Sequence, residues 1–110
     1  MIERATAVLH ALASSDIDAL DQLCHDDVLL WGTDEGEVWQ GKAAVLRGFP
    51  GAYDLSVRWL GSPAGGAGWV AGLVAFTERD GEPVLARVTM VFVGDLLAHA
   101  HYSVALPSSG

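Results

Sequence analysis

A chain of 110 residues is sized for one domain, burying about two thirds of the surface its unfolded form exposes. Hydrophobic residues make up 51% and charged residues 18%, which excludes a disordered chain and predicts more than one buried surface. With 14 acidic against 6 basic residues the net charge is −8, so neither nucleic acid nor an anionic membrane is expected as a partner.

The N-terminal stretch Ile2 to Ala13 reads as a helix, because Ala5, Val8, Leu9 and Leu12 recur at helical spacing. It carries Glu3, Arg4 and His10 and so does not read as a secretory signal, and no apolar run reaches the ~20 residues of a membrane span. Ser14 and Ser15 break the pattern. Ser15 or Asp16 can cap a second helix with an apolar stripe of Ile17, Leu20, Leu23 and Cys24. His25, Asp26 and Asp27 end it. Cys24 is the single cysteine, so no internal disulfide can form and a reducing, cytoplasmic location is expected.

Val28 to Trp31 reads as a strand, Gly32 to Gly36 as an acidic turn, and Val38 with Trp39 as resumed extended chain. Gly41 opens a third helix containing Ala44, Val45 and Phe49, which Pro50 and Gly51 stop. Asp54 to Leu60 alternates as a strand, and Gly61 to Gly68 is a small-residue loop. Trp69 to Thr77, Val84 to Val93 and Leu96 to Leu106 read as strands joined at Asp80-Gly81 and Gly94-Asp95. The whole is α+β, one domain over residues 1–106 with a flexible tail at 107–110.

Two-residue turns at both junctions would place Thr77 opposite Val84, Met90 opposite His99 and Val88 opposite His101. One face then carries Trp69, Leu73, Ala75, Val88, Met90, Phe92, His99, His101 and Ser103. The other carries Val70, Val74, Phe76, Leu85, Arg87, Thr89, Val91, Ala100, Tyr102 and Val104. Both are mainly apolar, whereas a solvated face would alternate polar residues. A bulge in either strand would swap part of this assignment.

Three stretches resemble the SnoaL-like families of the nuclear transport factor 2-like superfamily, relatives of ketosteroid isomerases and polyketide cyclases. They are Ser14 to Val28, Gly32 to Val45 and the histidine-rich Leu97 to Val104. The resemblance implies a cone-like curved antiparallel sheet packed on three helices from the N-terminal half, also described as a cystatin-like roll. It further implies a pocket at the open end and a homodimer through the outer sheet face. On that basis the face with His99 and His101 is assigned to the interior, and the face with Tyr102 and Val104 to the dimer. The isomerase reaction uses a carboxylate base with a tyrosine and a protonated aspartic acid as oxyanion donors. Here the tyrosine position falls near Val8 and the base position near Gly32, and no aspartate occupies the middle of the last two strands.

Asp34 is the candidate base, since burial beside Trp31 and Trp39 would raise its pKa; the alternative is a turn aspartate bonded to its own backbone. Glu35 and Glu37 read as solvated. His99 is the candidate proton-transfer partner of Asp34, and His99 and His101 are otherwise hydrogen-bonded structural histidines. Trp31, Trp39, Phe49, Tyr53, Trp69, Met90 and His101 are candidate walls of a pocket for a small hydrophobic molecule. The H-x-H pair lacks a sequence-adjacent third ligand, so neither metal nor cofactor is expected. Three functions compete: cofactor-free proton transfer, ligand binding without catalysis, and association alone.

Overall fold

The computed structural model describes residues 1–33, 36–48, 55–78 and 81–104. Asp34, Phe49, Tyr53 and Asp80 lie outside these residues, as does the expected tail at 107–110. Helices α1 (Ile2–Ser14) and α2 (Ile17–Leu23) precede strands β1 (Cys24–Trp31) and β2 (Val38–Gln40). Helix α3 (Lys42–Gly48) then leads to β3 (Ser56–Gly66), β4 (Trp69–Thr77), β5 (Val84–Val93) and β6 (Leu96–Val104). The strands form one sheet in the order β2-β1-β6-β5-β4-β3. All neighbours are antiparallel except β1 and β6, which run parallel.

The helix pattern holds. Ala5, Val8 and Leu9 of α1 and Leu20 of α2 are buried, the small alanines letting α1 lie close on the sheet. Ser15 takes a left-handed conformation that ends α1, while Asp16 Oδ1 accepts the Ala19 N–H at 3.1 Å and starts α2. The chain turns extended sooner than its helical pattern implied. Cys24 already belongs to β1, because its N–H closes α2 on Leu20 O and it pairs with Leu97. Gly61 to Gly66, expected as a loop, extends β3 around an irregularity between Leu60 and Ala64.

The meander register differs from the expected one in two places. Val84 pairs with Phe76, not Thr77, so β4 is shifted by one residue against β5. The Gly94-Asp95 turn forms as expected, with Val93 opposite Leu96. A bulge then follows, so that Met90 faces Ala100 instead of His99. The bulge lets Leu97 and Ala100, three residues apart, both reach the core. Because side chains alternate, each change inverts the face of a strand. The inner face therefore carries Val70 and Val74 of β4, Val88 and Met90 of β5, and Ala100 and Tyr102 of β6. Tyr102 and Val104 are interior residues, and His99 and His101 are not.

Cys24 is fully buried at the junction of α2 and β1. Burial pushes its thiol up to about 11, against a smaller opposing pull from Lys42, which bonds the Asp21 carbonyl at 2.8 Å. The folded state thus holds a proton that the unfolded chain loses near the ordinary thiol value of 9.0. This stabilisation is complete below that value and is lost as pH rises towards the folded one. Between about pH 8 and about pH 11 the wild type is expected to lose more stability than Cys24→Ala, measured by urea unfolding.

Candidate functional site

The inner sheet face and α1 do not close completely on each other. They leave a cavity of about 360 Å³, within the range of small-molecule sites. Val88 and Met90 of β5, with Ala100 and Tyr102 of β6, line it from the sheet, and Leu9 and Leu12 line it from α1. Trp39 of β2 and Phe76 of β4 add aromatic surface.

Polar groups are few and are positioned by the chain around β1. After Trp31 the backbone doubles back, and Gly32 N–H donates to Glu37 O at 2.7 Å. Thr33 Oγ1 accepts the Val104 N–H at 2.7 Å, tying the same turn to the end of β6. These two bonds bring Glu37 over Tyr102, whose hydroxyl donates to Glu37 Oε2 at 2.8 Å. Gly32 is required for the approach. A Cβ there would sit 2.6 Å from Tyr102 Oη and 2.9 Å from Glu37 Cβ. Glu37 and Trp39 alternate onto the same side of the chain, so carboxylate, phenol and indole all border one cavity.

The register decides where the sequence candidates fall. Trp39 and Met90 are among the residues that line the cavity. His99 pairs with Val91 and Leu29 on the outer face, and its ring lies 6.2 Å from that of Trp31. His101 borders the cavity through its place in the strand between Ala100 and Tyr102, but its ring packs against Trp31 on the opposite face, with centroids 4.8 Å apart. Trp31 and Trp69 are 48% and 42% exposed, also outward. The one-residue slip turns Trp69 outward and the bulge turns His99 and the His101 ring outward, while Trp31 faces outward from β1, whose register neither change involves. Asp34, Phe49 and Tyr53 lie outside the described residues. Glu37, expected in solvent, is half-buried and bonded. Its signal in the sequence was the Glu-x-Trp alternation leading into β2. Tyr102 was visible as an aromatic in the last strand but was assigned to the wrong face. Among the described residues, no group of three or more His, Cys, Asp or Glu side chains is placed to hold a metal.

A curved open sheet of six strands carrying three helices is a fold of the nuclear transport factor 2-like kind. The chain belongs to the SnoaL-like domain family, whose model matches residues 5–94. That match ends before β6, so it does not cover Tyr102 or the two strand histidines. No curated protein matches in sequence. Among solved structures, the chain is similar to a candidate ketosteroid isomerase from Kribbella flavida DSM 17836 (TM-score 0.76, 19% identity, covering 98% of this chain and 79% of that one). It is also similar to a candidate polyketide cyclase from Sinorhizobium meliloti (TM-score 0.73, 20% identity, 91% and 93% covered). A third neighbour is a protein of ketosteroid isomerase-like fold from Catenulispora acidiphila DSM 44928, solved in complex with trimethylamine (TM-score 0.76, 15% identity, 96% and 88% covered). At these identities the likeness is one of fold.

Proposed function

We propose that this protein binds a small, largely apolar molecule in the cavity on the concave side of its sheet, with the Glu37–Tyr102 pair as the polar anchor. The carrying observation is a cavity of about 360 Å³ with apolar walls and one internally bonded carboxylate–phenol pair. Such a pocket gains affinity from apolar burial and orientation from its few polar groups. The Catenulispora neighbour, solved with a small molecule, supports this reading. A cytoplasmic setting suits the single, deeply buried thiol.

Cofactor-free proton transfer is the second reading, and the same pair favours it. A carboxylate held by a phenol at a cavity supplies a base and a donor. In this reading Glu37 takes the role expected of Asp34, and His99 takes none. The binding proposal is tested by titration with the neutral fluorophore N-phenyl-1-naphthylamine. Saturable binding that quenches Trp39, and persists in Trp31→Phe and Trp69→Phe, supports it. No saturable binding, or binding lost with Trp31 or Trp69, overturns it.

The outer sheet face is proposed as a homodimer interface, in place of the face with Tyr102 and Val104. Leu73, Leu85 and Val91 are 38–41% exposed there, beside the half-exposed Trp31. Arg87 and Thr89 share that face, and exposed apolar side chains around a few polar ones are the kind of surface that marks protein–protein contact. Sedimentation at micromolar concentration is expected to give a dimer, and a monomer there would refute the interface.

A further inference from the structure

We propose that the homodimer formed through the outer sheet face is pH-responsive, weakening on mild acidification because His99 and His101 of both copies lie in its contact. This rests on the interface proposed above and adds its regulation. In the sheet order β2-β1-β6-β5-β4-β3 the two middle strands are β6 and β5, so a broad contact over the outer face centres on them. His99 sits there opposite Val91, and His101 opposite Thr89. On the other side, β1 sets Leu29 beside His99 and Trp31 beside His101. Both imidazoles are half-buried, and their rings lie 6.2 and 4.8 Å from that of Trp31. A two-fold contact sets one patch against itself, and packed sheets lie about 10 Å apart. The imidazoles of two copies then share one water-poor layer.

The chain carries a net charge of −8, yet its outer face is close to neutral. Among the described residues, the outward positions of the sheet hold Arg58 of β3 and Arg87 of β5 against Asp27 of β1. His25 stands at the start of β1, its Nδ1 accepting the Asp27 N–H at 3.1 Å. The outward residues of β2 and β4 are uncharged. Such a face is one that a second copy of an acidic chain can approach, since opposed like charges disfavour a contact. Protonation of His99 and His101 sets them beside Arg58 and Arg87 as further cations, and the partner repeats the set. An imidazole gains that charge between pH 8 and pH 5. Among the described residues no ion pair joins either imidazole to a carboxylate, so the new charge would enter the contact uncompensated. Net charge alone acts in the opposite direction. Acidification shrinks the −8, and two copies then repel each other less.

Sedimentation equilibrium at pH 7.5 and pH 5.5 tests this, with circular dichroism checking that the domain is folded at both. A group that must stay neutral in a contact, and titrates near 6.5 when free, weakens association about 10-fold at pH 5.5. The dimer Kd is therefore expected to rise at least ~10-fold between the two pH values. The rise should vanish in the double variant His99→Gln/His101→Gln. It should persist in His10→Gln, which removes an exposed imidazole from α1. Arg87→Gln should tighten the dimer more at pH 5.5 than at pH 7.5, and this variant decides the matter if the double variant does not dimerise. An equal or tighter dimer at pH 5.5 overturns the inference, as does a full rise in a dimeric double variant or no selective gain in Arg87→Gln. A wild-type dimer of equal affinity at both pH values leaves the interface standing and removes only its pH response. A wild-type monomer at pH 7.5 refutes the interface, and this inference falls with it.

Discussion

Val74→Asp is expected to abolish cooperative folding, whereas Leu73→Asp is expected to leave the domain folded. The two apolar residues are adjacent on β4 and occupy opposite faces. Val74 is 0% exposed and sits opposite Ala86 on the inner face, within the core that includes Val70 and Val88. Leu73 is 41% exposed and sits opposite Arg87 on the outer face. An isolated carboxylate in apolar surroundings costs several kcal/mol even when it avoids ionisation by taking up a proton. That is a large share of the roughly 5–15 kcal/mol by which a domain of this kind is stable. Leu73→Asp places its charge beside Arg87 and water, so its cost to the folded protomer is expected to be about 1 kcal/mol or less. It should also weaken the proposed dimer. Circular dichroism during thermal unfolding distinguishes the pair. If Val74→Asp folds and Leu73→Asp does not, the β4–β5 register must be the alternative one, with Thr77 opposite Val84.

Ala86→Trp is expected to reduce affinity for the apolar probe by about 100-fold, roughly 2.7 kcal/mol at 25 °C, while the domain still folds. Ala86 is buried on β5 between Val74 and Val104 and lines the cavity, so a larger side chain there has empty space to enter. Filling a tightly packed core position would strain it, but a cavity tolerates added volume. Thermal unfolding of the variant alone checks that the fold survives, and probe titration measures the loss. Unchanged affinity in a folded Ala86→Trp would locate the probe elsewhere on the molecule.

The helices and the fold class were legible in the sequence because a helix repeats every 3.6 residues and shows one apolar stripe. Ala5, Val8 and Leu9 lie on that stripe, while His10 and Ser14 lie off it and are exposed. The Gly94-Asp95 turn was legible too, since Gly94 takes the positive φ that a tight turn demands. Trp39 could be placed at the cavity because it follows the β1 turn closely and belongs to a short edge strand.

The sheet faces were a different matter. Strand side chains alternate with a period of two, so the sequence divides each strand into two sets of residues. It can name the buried set only if one set is polar. In β4 both sets are mainly apolar, and the choice passes to register; in β6 the set with His99, His101 and Ser103 is the more polar one, and only the expected pairing of His99 with Met90 put it on the inner face. Register was decided by the connection between Phe76 and Val84 and by one bulge near Ala98, features that depend on how the whole sheet closes over α1. The bulge lets Leu97 and Ala100 both bury against the core, a gain that no local pattern of β6 reveals. That gain turns Tyr102 inward to Glu37 and turns His99 and His101 outward to Trp31. The sequence by itself determined the elements, the α+β class and the supply of aromatic and carboxylate groups. Only the tertiary structure decided which of those groups share a cavity, because a single residue of strand offset exchanges the inside of a sheet for its outside.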